Sequence, residues 1–227
     1  MSNNINLGEN GHAFIRKMLT NSVILEPNGL YKIYEGDFPP PEQAAILGFR
    51  ILKDGTEPRE KGGTVIWTHA GRLRVLAVFE DSDVHNSATE HNDRTWATGD
   101  VMELFFKPTA ARTDYFELHL TPESLTLQLH VPSVEGLTNT QFEKMFHQSQ
   151  FVVKTEKFKT PEYKGWMGYM DIPFEGILLD CGIDAATFTV CRYNYNDSWD
   201  APDICSTTRF PKGGFHQPDY YHKMVKG

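Results

Sequence analysis

The residues from 64 onward alternate between apolar and polar side chains with a period of two, and this pattern constrains the fold more than any other feature. Such alternation is typical of β-strands that bury one face. Gly, Pro, Asn or Asp bounds each segment, as expected of strands joined by turns. The predicted strands span residues 64–69, 73–79, 100–107, 115–120, 125–131, 151–158, 165–172 and 187–195. The sequence therefore predicts an all-β fold: an antiparallel β-sandwich that is jelly-roll-like and falls in the immunoglobulin-like sandwich class.

The first 43 residues follow a different pattern. Apolar residues in 14–21 recur at spacings of one, three and four, which predicts a short helix or an arm lying on the body. Prolines at 39–41 interrupt the chain, and the apolar run at 44–52 predicts a buried strand or hairpin arm. Because residues 1–43 hold too little apolar material for a core, we predict an N-terminal arm with a short helical embellishment there. The sandwich domain is then expected at 44–227.

Composition and charge argue against several classes of partner. The chain carries 22 Lys and Arg against 30 Asp and Glu, a net charge of −8, whereas nucleic acids and anionic membranes call for clustered basic residues. The apolar runs are strand-sized, too short for a transmembrane helix, and the first residues lack the features of a signal peptide. We therefore expect a cytoplasmic protein if the chain is complete, and an extracellular or periplasmic one if a signal was removed.

Alternation within two neighbouring strands predicts a polar surface. In residues 125–131 the odd positions are Leu or Val, so this face is expected in the core, and Gln128 and His130 point the other way. In residues 115–120 the polar face carries Glu117 and His119. If the two strands pair, these four polar side chains are predicted to share one surface. Between these strands and the next, residues 140–148 are predicted to form a helix.

An aromatic ring and a row of acids lie beside these strands. Trp96 follows a polar loop, and Asp100, Glu103 and Glu117 follow it along the chain. A sugar ring has an apolar C–H face and a rim of hydroxyls, so its binding sites combine an aromatic plate with fixed polar groups. The alternative interpretation gives these residues structural roles: Trp96 covers the end of the sandwich, and Asp100 caps a turn.

These residues resemble the family 9 carbohydrate-binding modules and their relatives, including DOMON-like domains. The family carries a Trp-x-x-x-Asp-x-x-Glu pattern before a Tyr-x-Glu strand that ends near Pro. The matching residues are Trp96, Asp100, Glu103, Tyr115, Glu117 and Pro122. The segments 165–174 and 210–224 also resemble the family, so the match covers roughly residues 64 to 225. In place of the family's basic residue near the Tyr-x-Glu strand, this chain has Glu117 and His119.

The resemblance implies that two aromatic rings sandwich a terminal sugar. Trp96 is the first plate. The second plate is expected from Tyr193, Tyr195 or Trp199, with Trp199 preferred and Tyr195 next. Glu103, Glu117 and Arg192 are expected to contact the sugar hydroxyls.

A second candidate site is the acidic run at Glu80, Asp81 and Asp83. Hard cations such as Ca²⁺ take carboxylate and carbonyl oxygens, and the resemblance implies structural calcium. The run lacks the order of an EF-hand loop, so a solvated acidic loop is the alternative. No organic cofactor is expected.

The sequence is compatible with three functions. The leading one is non-catalytic binding of a terminal sugar or short oligosaccharide, associated with glycan breakdown and with a glycan-degrading enzyme as the expected partner. The second is a small glycoside hydrolase that uses Glu103 and Glu117, a chemistry that requires two carboxyls across a cleft. The third is a sandwich domain that binds another protein.

Overall fold

The structure is a computed structural model that describes residues 11–40, 43 and 45–227. Two α-helices and thirteen strands are named here in chain order. The helices are α1 (Gly11–Thr20) and α2 (Val134–Asn139). The strands are β1 (Leu30–Glu35), β2 (Leu47–Gly48), β3 (Arg50–Ile51), β4 (Gly62–His69), β5 (Arg72–Glu80), β6 (Val101–Lys107), β7 (Tyr115–Leu120), β8 (Thr126–Val131), β9 (Val152–Lys159), β10 (Lys164–Pro173), β11 (Thr187–Asn194), β12 (Asp203–Ser206) and β13 (His222–Lys226). Short 3-10 helices lie at Thr95–Ala97, Phe142–Met145, Phe174–Ile177, Ile183–Ala185 and Pro218–Tyr220. No helix in the described part of the chain is long and apolar enough to span a membrane.

The strands form one curled sheet whose two halves face each other as a sandwich. The main path of hydrogen-bonded neighbours is β8-β7-β6-β11-β13-β1-β4-β5-β10-β9. Strand β1 belongs to both halves, because Leu30 pairs with Lys223 of β13 and Glu35 pairs with Thr68 of β4. Both of these pairings are parallel, so the predicted sandwich is confirmed but its sheet is mixed rather than purely antiparallel.

The N-terminal segment contributes more than an embellishment. Its described part contains α1, as predicted, but also β1, which lies between β13 and β4 in the sheet. Residues 1–10, 41, 42 and 44, which the predicted arm and the predicted strand at 44–52 include, lie outside the described residues. The described part of residues 1–43 is therefore integral to the sandwich.

Helix α1 packs on the outer face of β4 and β5. Met18 and Leu19 are buried there against residues such as Trp67. Gly63 permits the approach, because a Cβ atom at this position would lie 2.0 Å from the Met18 carbonyl oxygen.

The central core lies between the two halves of the sandwich. Strands β4 and β5 supply Ile66 and Val75, which meet Leu104 and Leu118 from β6 and β7 in one buried cluster. The predicted hairpin between β4 and β5 is confirmed: Ala70 and Gly71 form its turn, with φ of 48° and 73°. Positive φ at both turn residues matches the twist of the flanking strands.

A second apolar cluster covers the outer face of β6, β7, β8 and β11. It contains Leu127, Leu129 and Val131, so the apolar face of β8 does not join the central core as predicted. The register explains the difference, since Glu117 pairs with Leu129 and His119 with Leu127. The predicted shared surface is therefore wrong: Gln128 pairs with Leu118 and His130 with Phe116, on the other side of the sheet from Glu117 and His119.

The segment after β8 contains shorter helices than predicted. In place of a helix over 140–148, α2 precedes this region and a 3-10 helix covers only Phe142–Met145. The Ser133 hydroxyl accepts a hydrogen bond from the Gly136 N–H and caps α2, as is common at helix N-termini. The segment folds over the second apolar cluster through Leu137, Phe142 and Met145.

Candidate functional site

Three buried polar side chains meet on the outer face of β6 and β7. Glu103 of β6 is opposite His119 of β7 in the register, and Glu117 is two residues before His119. His119 Nε2 lies 2.8 Å from Glu117 Oε1 and 3.4 Å from Glu103 Oε1. His119 Nδ1 lies 2.8 Å from the Thr95 hydroxyl oxygen. We call Glu103, Glu117 and His119 the floor cluster.

Burial and the neighbouring His119 shift the pKa values of the two carboxyls in opposite directions. Burial raises the pKa of Glu103 to about 8, although the charge of His119 acts against the rise. Burial also acts to raise the pKa of Glu117, but the hydrogen bond and charge of His119 outweigh it and hold that pKa below its usual value. Burial opposes the charged form of His119, yet the two acids together raise its pKa. At neutral pH Glu103 is therefore neutral while Glu117 is ionised.

Glu103 and Glu117 of the floor cluster line a pocket of about 430 Å³. This volume lies within the usual range for small-molecule sites. Apolar side chains supply much of the wall: Phe105, Leu129, Leu137, Phe142, Met145 and Phe215. One oxygen of the floor, Glu117 Oε2, is buried and has no hydrogen-bond partner. The pocket thus combines apolar walls with an acceptor to which no residue in the described part of the chain donates a hydrogen bond.

Trp96 stands at the wall of this pocket and is partly exposed. Its ring meets His119 edge-on at 5.7 Å and Phe142 edge-on at 5.9 Å between centroids. The Tyr195 hydroxyl donates to the Trp96 carbonyl oxygen at 2.8 Å. The structure therefore brings together three of the residues predicted from the sequence, Trp96, Glu103 and Glu117, and gives Tyr195 a contact with the Trp96 backbone.

Arg192 lies away from the pocket. On β11 it pairs with Met102, and its side chain is buried with Asp81, to which Nη2 donates at 3.2 Å. The same nitrogen donates to the Glu80 carbonyl oxygen and to Asn194 Oδ1. The predicted contact between Arg192 and a sugar is not supported, because strand parity turns this side chain to the face opposite Glu103.

Trp199 is also absent from the residues that line the pocket. One face of its ring is covered by the Arg59 guanidinium, 3.8 Å from the ring centroid. Arg59 is held in turn by Asp203. The structure therefore does not pair Trp199 with Trp96 as a second plate.

The pocket is also lined by Tyr193, one of the three candidates for the second plate, and by residues that the sequence did not indicate, among them Arg94, Phe142, Phe215 and His216. Parity identifies Tyr193, because it alternates with Arg192 and shares a face with Cys191, the partner of Glu103. Phe215 and His216 belong to the C-terminal segment that carries the family resemblance. Arg94 rests its guanidinium over the Phe142 ring at 4.6 Å, and no pattern in the sequence signals this pair.

The acidic run at the end of β5 is engaged with other groups of the protein. Asp81 is buried beside Arg192, Glu80 Oε2 accepts from the Lys61 N–H, and Asp83 Oδ2 accepts from the Asp197 N–H. Among the described residues, the acids and histidines close enough to share one metal ion are those of the floor cluster, whose ligand atoms all lie within 4.8 Å of one another. The calcium site at Glu80, Asp81 and Asp83 stays a prediction.

Asp100 has a structural role, as the turn-capping alternative predicted. Its carboxylate accepts hydrogen bonds from the N–H groups of His85 and Tyr195, both at 2.8 Å. Burial and the nearby Asp81 raise the pKa of Asp100 to about 7. Asp100 thus fixes the loop before Trp96 and the end of β11.

Comparison with solved structures identifies the same fold elsewhere. A protein from Bacteroides uniformis ATCC 8492, provisionally assigned as carbohydrate-binding, has a TM-score of 0.59 at 14% identity, and the match covers 88% of this chain and 99% of that one. A family 9 carbohydrate-binding module from Caldicellulosiruptor kristjanssonii in complex with cellotriose has a TM-score of 0.57 at 12% identity, covering 88% and 93%. A module from the same organism in complex with glucose has a TM-score of 0.56 at 10% identity, covering 87% and 96%.

No protein-family model matches the chain, and no curated protein matches it. At 10–14% identity the structural likeness establishes the fold alone. The resemblance inferred from the sequence is confirmed at that level.

Proposed function

We propose that this chain is a non-catalytic carbohydrate-binding domain that holds a terminal sugar or short oligosaccharide in the pocket above the floor cluster. One observation carries the proposal. A partly exposed indole, Trp96, stands beside a buried carboxylate oxygen, Glu117 Oε2, that lacks a hydrogen-bond partner. A sugar offers the apolar face and the hydroxyl donor that these two groups require.

The pocket supplies both kinds of contact. Trp96 and Phe142 give aromatic surface for the C–H face of a sugar ring. Glu117 Oε2 is the acceptor for a hydroxyl, and the neutral carboxyl of Glu103 both donates and accepts. Of the three candidates for the second plate, Tyr193 lines the pocket. The likeness in fold to modules solved with cellotriose and glucose supports this class of ligand.

The test is a screen on a glycan array followed by titration of intrinsic Trp fluorescence. Trp96→Ala should abolish the response to the sugars that bind. Trp199→Ala is the matched control, and it should leave affinity unchanged because Arg59 already covers that ring. We expect dissociation constants of roughly micromolar to millimolar, since a shallow site gains few net hydrogen bonds. The absence of binding to any glycan at millimolar concentration would overturn the proposal.

The separated ionisation of Glu103 and Glu117 favours a second candidate, a glycoside hydrolase, since such enzymes pair a protonated acid with an ionised carboxylate. The two groups lie side by side on one floor and share His119, whereas hydrolysis needs a carboxyl on each side of the scissile bond. We therefore expect no release of reducing ends. Turnover that disappears in both Glu103→Gln and Glu117→Gln would favour the enzyme.

We also propose that the acidic run binds calcium and that the domain associates with a glycan-degrading enzyme. A calcium site formed only in the folded state would raise the melting temperature in Ca²⁺ but not in Mg²⁺. Asp83→Ala would remove that difference. Equal melting curves in Ca²⁺, Mg²⁺ and chelator would eliminate the site and leave the sugar pocket unaffected.

A further inference from the structure

We propose that the floor cluster is also a metal site, in which Glu103, Glu117 and His119 bind one divalent transition-metal ion, with Zn²⁺ as the best match, at the base of the pocket. This site is separate from the acidic run, where calcium was predicted. It does not depend on sugar binding.

The spacing of the three ligand atoms fits a metal ion. Zn²⁺ binds carboxylate oxygen and imidazole nitrogen at about 2.0–2.2 Å, so neighbouring ligands of a tetrahedral site are roughly 3.4 Å apart. Glu103 Oε1 already lies 3.4 Å from His119 Nε2. Glu117 Oε1 lies 2.8 Å from the same nitrogen, so it must withdraw by about half an ångström to admit the ion.

The surroundings of His119 suit a metal ligand. A ligating histidine usually gives its second ring nitrogen a hydrogen-bond partner, which fixes the tautomer and the orientation of the ring. Here Nδ1 has the Thr95 hydroxyl at 2.8 Å. When a metal ion displaces the proton that Nε2 shares with Glu117, Nδ1–H can donate to that hydroxyl while the Nε2 lone pair binds the ion. Trp96 packs edge-on against the same imidazole and restricts its rotation.

An independent observation points to a missing partner at this place. Glu117 is 5% exposed, and its Oε2 atom is buried without a hydrogen bond. The His216 Nε2 atom lies 3.7 Å from that oxygen, beyond hydrogen-bond distance. A metal ion that Glu117 binds through both carboxylate oxygens would satisfy Oε2.

The combination of carboxylate oxygen and imidazole nitrogen favours one class of metal ion. Ca²⁺ and Mg²⁺ prefer oxygen ligands throughout, whereas imidazole nitrogen suits Zn²⁺ and similar ions. With three protein ligands, a four-coordinate ion keeps one position, which faces the pocket. Resting on the proposed function, we infer that a sugar hydroxyl can occupy this position, so that Zn²⁺ would tighten sugar binding.

The experiment is calorimetric titration of chelator-treated protein with Zn²⁺, Mn²⁺, Ca²⁺ and Mg²⁺. We expect one Zn²⁺ per chain, weaker binding of Mn²⁺ and no saturable binding of Ca²⁺ or Mg²⁺ at this site. Co²⁺ serves as a spectroscopic probe whose visible absorption reports nitrogen and oxygen ligands. Glu117→Gln and His119→Gln should each weaken Zn²⁺ binding at least tenfold, as expected when a metal ligand is lost, and remove the Co²⁺ absorption.

The matched control is His130→Gln. His130 also contacts a carboxylate, that of Asp114, but lies on the opposite face of β8 from the floor cluster. This variant should bind Zn²⁺ like the unaltered protein. Circular dichroism in chelator shows whether each variant is folded, and Glu103→Gln gives a second test if His119→Gln is not.

Zn²⁺ binding that is absent, or that persists in the folded floor variants, would overturn the metal site. Sugar titrations in chelator and in Zn²⁺ separate the two proposals. Sugar binding that is equal in both media would remove the link between metal and sugar while keeping the proposed function. Zn²⁺ binding without any sugar binding would keep the metal site and refute the proposed function.

Discussion

Replacing Arg192 with Met distinguishes a structural role from a ligand contact. The guanidinium is 1% exposed, packs over the Phe79 ring, and is the cation that faces Asp81. Removing it leaves the Asp81 carboxylate buried without its partner, beside the carboxyl of Asp100. We expect the Arg192→Met protein to be strongly destabilised.

The magnitude follows from the loss of one partner of a buried ion pair. Such a loss typically costs about 3–5 kcal/mol, because the remaining charge is uncompensated. For a domain of this size, the corresponding fall in melting temperature is roughly 6–20 °C. Adding Asp81→Asn to Arg192→Met removes the orphaned charge, so the double variant should recover part of the loss.

The assay is urea unfolding followed by fluorescence and circular dichroism, together with sugar titration of the folded protein. Arg16→Met is the control, since Arg16 and Glu162 are 67% and 55% exposed and their 3.8 Å pair is expected to contribute at most about 1 kcal/mol. Unchanged stability of Arg192→Met combined with lost sugar binding would refute this reasoning and restore Arg192 to the binding site.

Two further predictions concern buried groups elsewhere. Burial lowers the pKa of His222 to about 4. Between pH 6.5 and pH 4, His222 therefore takes up a proton in the unfolded chain but stays neutral in the folded protein. The free energy of unfolding should therefore fall by about 3 kcal/mol between pH 6.5 and pH 4, and His222→Gln should flatten the profile in urea titrations over that window. Gly63→Ala should cost about 1–3 kcal/mol by pushing α1 from β4. Gly213→Ala, where a Cβ meets nothing within 4 Å, should cost little in the same unfolding assay.

The strands were predictable because burial of one face leaves a period of two in the sequence. Residues 126–131 show it, since Leu127, Leu129 and Val131 are buried while Gln128 and His130 are partly exposed. The two-residue turn at Ala70 and Gly71 follows from local backbone preferences. Strand β1 was missed. Its inward residues are Tyr31 and Ile33, but Leu30 is 64% exposed, so the apolar pattern is blurred.

The site was predictable only where a residue's role depends on its own segment of the chain. Trp96, Glu103 and Glu117 stand out in sequence and line the pocket. Their neighbours depend on register, which no local pattern fixes: a shift of one residue would have put Gln128 beside Glu117 in place of Leu129. Phe142 reaches the pocket through the fold of a long connection, so its position is a tertiary property.

The place of β1 in the sheet has a consequence for how the chain acquires its structure. Leu30 pairs with Lys223 and Glu35 pairs with Thr68, so the seam of the sandwich joins the early part of the chain to its last strand. During synthesis on the ribosome, one edge of β1 has no strand to pair with until β13 emerges. Contacts between such distant residues slow folding, and unpaired strand edges invite association with other chains. We therefore expect the sandwich to close only after translation of β13, with the edge of β1 as the surface that a chaperone must shield until then.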